Sequence, residues 1–275
     1  MIMLNELLRA AGKGSITMPV DLTGLEFTLS MNGSGSAGSF YKAIGNDWYY
    51  KLSYPIGNGT FCYESVNEVL ASRLCSLCGF PNAGYELVYA KIKLLQNEYL
   101  VYLCKSKNYK RVDENRITLE TYCTLNDIDH NDIVNLSDKS FFNDLLNMIL
   151  IDYLINNRDR HGANIELLLS EDGERLSPIY DCGSSLLAPL QYNKERIDSY
   201  NILSDGPVNN YLISIMWEDV LNTLRLYGVK IPTIDLGQLQ YSDLYCAFGN
   251  DSYILDKEIV MIKERYNHAK EVLNS

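Results

Sequence analysis

Apolar residues in this chain change their spacing at each cluster of Gly, Pro and Asn, and those changes divide it into elements. From residue 26 the spacing is that of strands. Phe27-Thr28-Leu29-Ser30-Met31 runs into the small-residue segment Asn32-Gly33-Ser34-Gly35-Ser36-Ala37-Gly38-Ser39, and a strand resumes over 40–44. Gly45-Asn46-Asp47 then turns the chain into Trp48-Tyr49-Tyr50-Lys51-Leu52. Over 63–78 the spacing lengthens to that of a helix. Val66, Val69, Leu70, Leu74 and Leu77 recur on one side, and Gly79 with Pro81 ends it. Two further strands, about 85–95 and 99–104, flank a polar Gln96-Asn97-Glu98 turn.

Residues 105–139 are polar and carry no period that assigns them. The stretch 141–155 is apolar on nearly every side, which predicts a centrally buried helix. It delivers the chain into Asn156-Asn157-Arg158-Asp159-Arg160-His161-Gly162-Ala163-Asn164. Residues 165–169 and 176–180, joined through Glu171-Asp172-Gly173-Glu174, read as a hairpin that carries the chain on to Asp181-Cys182-Gly183. Residues 210–227 and 256–273 read as helices, and 4–11 as a short amphipathic piece. No internal repeat or low-complexity linker appears.

Composition narrows the class. A chain of 275 residues can hold one sizeable domain or two lobes around a cleft, and 47% hydrophobic with 21% charged residues is ordinary globular usage. Its 21 tyrosines fit strand and amphipathic packing. A net charge of −11 argues against a general nucleic-acid binder. Lys105, Lys107, Lys110 and Arg111 form the one clear cationic cluster, which reads as a solvated loop before a site for an anionic partner. Seven irregularly spaced cysteines do not make a disulfide framework. Cys75 and Cys78 form a C-x-x-C inside the helical pattern, with no second pair and no nearby His, and read as buried thiols. There is no signal-peptide pattern and no membrane-span-length apolar run, so an intracellular protein is expected.

The chemistry lies in the order of a few polar residues. Asp159 is followed five residues later by Asn164, and Asp181 comes after the hairpin. Phosphoryl transfer needs a carboxylate to orient the attacking hydroxyl, oxygen ligands for Mg²⁺, and a cation on the non-transferred phosphates. Asp159 suits the first need, Asn164 and Asp181 the second, and Lys51 the third. A Glu on the following helix can fix Lys51 by an ion pair, with Glu64 and Glu68 one turn apart as candidates. The 32–39 segment can bring backbone amides close to phosphate oxygens. Each residue alone has an ordinary explanation as a turn former, cap or surface charge; the ordered set does not. Strand, Gly-rich loop, strand, Lys-bearing strand, Glu-bearing helix and two strands is the order of a kinase N-terminal lobe.

The segments Asn157-Arg158-Asp159-Arg160-His161-Gly162-Ala163-Asn164 and Tyr180-Asp181-Cys182-Gly183-Ser184-Ser185-Leu186 resemble the catalytic and metal-binding segments of HipA-like kinases. Phosphoinositide kinases share the Asp-Arg-His-x-x-Asn form. The resemblance extends to Gly38-Ser39-Phe40-Tyr41-Lys42, to Lys51 and to Asn67-Glu68. It covers about residues 26–190 by motif, and the rest by helical character. It implies a two-lobed, α+β, protein-kinase-like fold. Residues 1–104 would form a β-rich N-lobe with one main helix, and 105–275 a mostly helical C-lobe.

By the same resemblance Asp159 is the catalytic Asp, Asn164 and Asp181 bind Mg²⁺, Lys51 contacts ATP phosphates, and Glu68 pairs with Lys51, Glu64 being the runner-up. His161 touches the transferring phosphate or braces the loop. Gly35, Ser36, Gly38 and Ser39 lie over the nucleotide. The adenine hinge falls near Leu103, Lys105 and Ser106. Loop autophosphorylation would fall on Ser36, with Ser34 and Ser39 as alternatives, although no Ser stands at the family's usual distance before Gly38. The implied activity is an ATP- and Mg²⁺-dependent serine/threonine kinase, acting as a bacterial toxin or secreted effector. It would work in the bacterial cytoplasm or in a host cell, on a protein substrate, with a small antitoxin or accessory protein as a further partner. A lipid or small-molecule kinase, and a non-catalytic pseudokinase scaffold, are the alternatives.

Overall fold

Alternation along the strands builds a sheet with two differently used faces. The computed structural model describes residues 18–29, 40–57, 59–129, 133–158, 160, 162–191, 193–208 and 216–275. Among these, the first sheet runs β1 (Val20–Asp21), β6 (Glu86–Leu94), β7 (Asn97–Lys107), β3 (Trp48–Leu52), β2 (Tyr41–Gly45) in spatial order. β1 is parallel to β6, and the other pairs are antiparallel. β2 and β3 join through Asn46-Asp47, both at positive φ, the two-residue geometry that matches strand twist. Ala43, Tyr50, Leu52, Val88, Ala90, Ile92, Val101 and Leu103 turn to one face and form a small core with Leu22 and Phe27. A short β4 (Pro55–Gly57) and β5 (Thr60–Phe61) hairpin leads from the sheet to the first helix.

Helix α1 (Glu64–Leu77) covers the opposite face. Val66, Val69, Leu70 and Leu74 join Cys104 and Tyr85 in the main core. Gly79, at φ +76°, lets the chain leave the helix, with the Phe80 amide donating back to the Cys75 carbonyl. The polar residues Glu64, Asn67 and Glu68 are buried as well. A helix buried this completely has polar partners on more than one side.

After β7 the chain forms β8 (Asn115–Thr118) and α2 (Leu119–Leu125), then α3 (Phe142–Leu154), on which the C-terminal half is built. α3 packs against α5 (Trp217–Leu226) and α7 (Ser252–Asn274). α4 (Lys194–Ser199) and α6 (Tyr245–Phe248) are short. β9 (Glu166–Ser170) and β10 (Gly173–Leu176) form a hairpin that turns at Glu171-Asp172, so its second strand lies over 173–176 and not over the expected 176–180; β8 pairs with its open edge.

Several expectations need correcting. The strand over 27–31 is a single Thr28–Lys42 bridge as far as residue 29. The turn expected at Gln96-Asn97-Glu98 is Leu95-Gln96, with Leu95 at φ 57°, because the buried faces of β6 and β7 set the register at Leu94–Asn97. β7 also runs on to Lys107, past the end expected at 104. The helix expected over 256–273 begins at Ser252. The helix expected over 210–227 is described from Trp217, and 4–11 and 32–39 lie outside the described residues. All seven cysteines are free thiols, and burial pushes the Cys78 thiol up to about 12.

Candidate active site

Lys51 stands between two neighbours of β3 that face the small core, so its side chain turns to the opposite face, under α1. Its Nζ lies 2.6 Å from Glu68 Oε1 and 2.7 Å from Asp181 Oδ1. Glu68 Oε2 accepts a hydrogen bond from the Cys182 amide at 2.8 Å. One carboxylate of α1 thus holds both the lysine and the backbone beside Asp181. Glu64 faces elsewhere, accepting from Gln191 Nε2 at 3.0 Å, so the helix register makes Glu68 the partner of Lys51. Burial alone would favour the neutral forms of Lys51 and Asp181. Their mutual attraction prevails: the Lys51 ammonium is held well above its usual range, and Asp181 is pulled down to about 2, with Lys42 and Arg160 assisting.

A second buried pair joins the two acidic segments. Arg160 is fully buried, its Nη2 2.8 Å from Asp152 Oδ1 and its Nε 3.0 Å from Asp152 Oδ2. The same guanidinium donates to the Tyr180 carbonyl and lies 3.2 Å from Cys182 Sγ. Asn157 Nδ2 also donates to Asp152, at 2.8 Å. The last turn of α3, the loop after it and the residues flanking Asp181 therefore share one polar core. Burial opposes the Arg160 charge, and Asp152 outweighs it. Sequence reasoning assigned no role to Asp152 or Arg160; their signal, an Asp and an Arg eight residues apart around an apolar helix end, is too common to stand out.

Two further groups face this cluster. Lys42 lies directly across from Lys51 in the β2–β3 register and is half-buried. Burial, then the Lys51 charge, lowers its affinity for a proton, while Asp181, Glu68 and Glu166 restore part of it. Glu166 is buried, 3.1 Å from Arg116 Nε, and accepts from the Tyr109 hydroxyl at 2.9 Å. Burial pushes its carboxyl up, with Asp181 adding to the shift and Arg116 opposing it. Among the described residues no group of three or more His, Cys, Asp or Glu side chains could hold a metal. The oxygen groups that the sequence resemblance assigns to a metal are the Asp181 carboxylate, kept ionised by Lys51, and the side chain of the buried Asn164 in the turn Gly162–Asn164. Hard oxygen donors few in number fit Mg²⁺, which retains most of its water.

Other expected site residues fall differently. Asp159, His161, Ser34, Gly35, Ser36, Gly38 and Ser39 lie outside the described residues. Leu103 is fully buried in the sheet core, and Lys105 pairs with both Glu86 and Tyr50 within the sheet. Lys105 Nζ also sits 3.9 Å above the Trp48 ring and 3.2 Å from the Glu86 carboxylate. The hinge expected near 103–106 thus falls within β7, between β3 and β6. Its strand edges are already occupied, and β7 ends only at Lys107.

No curated protein sequence matches the chain. The crystal structure of a Helicobacter pylori proinflammatory kinase, CtkA, superposes with a TM-score of 0.62 at 18% identity, over 92% of this chain and 98% of that one. That likeness is one of fold. HipA from Shewanella oneidensis MR-1, solved with HipB and operator DNA, matches with a TM-score of 0.44 at 11% identity, over 98% of this chain and 80% of that one. Residues 39–205 match the HipA-like C-terminal domain. That match spans more than half the chain and both acidic segments, and the protein belongs to this family as a kinase of HipA type.

Proposed function

We propose that this protein is an ATP- and Mg²⁺-dependent serine/threonine kinase that transfers the γ-phosphoryl group to a protein hydroxyl. The observation that carries this reading is Lys51 held between the Glu68 and Asp181 carboxylates. That arrangement supports the reading because it sets a cation beside a carboxylate that would serve as the metal ligand. The lobes divide near residue 104, with β7 crossing to Lys107.

When bound, Mg²⁺ supplies charge neutralisation at the phosphates. Asn164 and Asp181 offer it oxygen donors. Lys51 holds the α- and β-phosphates, Lys42 adds a second cation, and Glu68 keeps Lys51 in place. Gly35, Ser36, Gly38 and Ser39 cover the nucleotide. Asp159 orients the acceptor hydroxyl and takes its proton as the new O–P bond forms and the bond to the β-phosphate oxygen breaks. His161 steadies that loop.

The cationic cluster supports a protein acceptor over a phosphoinositide. Lys105 is engaged by Glu86 and Trp48 and Lys110 by the Arg111 and Glu114 carbonyls, which leaves the Lys107 ammonium, 5.2 Å from the Trp48 ring, and the exposed Arg111 guanidinium, 3.9 Å from Glu114, as its less engaged cations. No helix among the described residues is long and apolar enough to cross a membrane.

The test is incubation of wild type and Asp159→Ala with labelled ATP and Mg²⁺, against cell lysate and phosphoinositide vesicles, with intact mass recorded. Wild type should label protein and Asp159→Ala should not. Label on lipid would replace the protein-kinase reading, and equal labelling by the two proteins would remove Asp159 from the mechanism. Nucleotide binding without label on any acceptor would favour the scaffold. A mass increase on the kinase itself, lost in Ser36→Ala, would locate autophosphorylation in the 34–39 loop.

A further inference from the structure

Asn67 and Glu68 are consecutive on α1 and face different partners. Glu68 reaches Lys51. Asn67, fully buried, sends its Nδ2 to the Ser185 carbonyl at 3.2 Å and to Glu258 Oε1 at 3.3 Å. Glu258 lies on α7, 1% exposed, and its Oε1 also accepts from the Leu187 amide at 3.3 Å. The Ser185 carbonyl can only accept, so it fixes which end of the Asn67 amide faces it. Two buried acceptor oxygens, Asn67 Oδ1 and Glu258 Oε2, are then left without a donor, and the Ser185 hydroxyl beside them makes no hydrogen bond to either. An amide and a carboxyl that share one N–H···O contact can close a ring through a second, O–H···O contact between their remaining oxygens, provided the carboxyl carries a proton. Two acceptors cannot satisfy each other unless one carries a proton.

An ionised Glu258 would be a buried charge without a cation, which is strongly unfavourable. Charged groups on the surrounding elements are engaged elsewhere. On α1, Glu64 meets Gln191 and Glu68 meets Lys51; on α3, Asp152 meets Arg160. On α7 itself, Lys257 meets Asp198, and Arg265, two turns beyond Glu258, donates through Nε and Nη1 to the Tyr153 and Ile202 carbonyls, while its Nη2 has no partner among the described residues and makes no hydrogen bond with Glu258. Asp251, before α7, accepts from the Tyr63 hydroxyl, and Tyr245 on α6 bonds Asp256. On α5, Glu218 and Asp219 are exposed, and the Cys182 thiol in the loop is pushed up by burial and stays neutral.

We propose that Glu258 is a positioning residue of this kinase. It is a neutral carboxylic acid whose proton bridges to Asn67 Oδ1, so that α7 clamps the Glu68 helix and the segment after Asp181 together. The inference rests on the kinase reading above for its catalytic consequence, and on the buried cluster alone for the proton. Burial sets the Glu258 carboxyl at about 8, against the two hydrogen bonds that favour its ionised form.

The sign of the linkage follows. The folded state keeps a proton that the unfolded chain releases above about pH 4.3, so wild-type stability falls as pH rises from there to about 8 and then levels off. Glu258→Gln keeps the shape and an N–H donor but has nothing to titrate. Its midpoint of thermal unfolding, measured on the nucleotide-free full chain, should gain on that of wild type between about pH 5 and about pH 8 and then run parallel. A gap that stays constant across that range would overturn the proposal.

In wild type alone, the infrared carbonyl band of a carboxylic acid should persist at neutral pH and vanish near pH 8; no band titrating there would overturn it equally. In the phosphoryl-transfer assay, wild-type kcat/KM should fall above about pH 8 while Glu258→Gln holds level, and Glu258→Ala should lose about 10²-fold. An alkaline limb that survives in Glu258→Gln would remove the residue from the mechanism. Were no acceptor ever labelled, the unfolding and infrared measurements would still decide the protonation state, so failure of the kinase reading and failure of this one give different results.

Discussion

At the scale of single residues, the site is an arrangement of charges that need one another. Lys51 is shared by two carboxylates that are largely buried, and its removal would leave Glu68 and Asp181 facing each other with little water. Lys51→Met should therefore abolish phosphoryl transfer and cost about 3–5 kcal/mol in urea denaturation, since an uncompensated buried charge is the expensive outcome. Asp181 titrates at about 2, below an ordinary Asp, so its contribution is complete above about pH 4 and is lost as pH falls through 2. The stability gap between wild type and Asp181→Asn should be constant near neutrality and shrink on acidification by on the order of 2 kcal/mol. Motif order pointed to Lys51 and Asp181 without the structure. It left Glu64 and Glu68 as alternatives, because one helical turn separates them and only the rotation of α1 against β3 tells them apart. Glu166 was missed because an acid at the start of a strand carries no signal until Arg116 and Tyr109 are seen around it.

Elements meet at Gly183. A Cβ there would lie 2.9 Å from the Glu64 carbonyl and 3.2 Å from its Cβ, so the Asp181 segment approaches the start of α1 closely only because residue 183 is Gly. Gly183→Ala should push α1 away, lowering stability by about 1–3 kcal/mol and weakening the Lys51–Glu68–Asp181 contact, with a drop in kcat as the readout. Full activity and an unchanged urea midpoint would show that α1 tolerates the shift. Long elements were the legible ones. The apolar run that became α3 and the alternation that became β6 carry their period over enough residues to be read. β8 and α2 are four and seven residues long, too short for a period to emerge from a polar stretch. The β6–β7 turn was misplaced because Gln-Asn-Glu is better turn chemistry than Leu-Gln, yet sheet register overrode it.

On the scale of the whole molecule, buried polar contacts join parts that are far apart in sequence. Arg160 ties the end of α3 to the Asp181 segment, as Asn67 ties α1 to α7. Arg160→Met should cost about 3–5 kcal/mol by stranding Asp152, whereas Asp152→Leu with Arg160→Met should recover most of that stability in an apolar environment. The double variant should remain poor at phosphoryl transfer, because the guanidinium also holds the Tyr180 carbonyl. Recovery of activity together with stability would reduce the pair to packing.

Local sequence determined the order of strands and helices, the residue types of the site and the family resemblance, because periodicity, turn residues and motif spacing act over a few positions. Contacts across 130 residues for Lys51–Asp181 and 191 for Asn67–Glu258 were decided only by the tertiary structure. No local preference encodes which carboxylate meets the lysine, or that an acid late in the chain keeps its proton. Those outcomes depend on how much water the packed helices exclude and on which partner each buried polar group finds there.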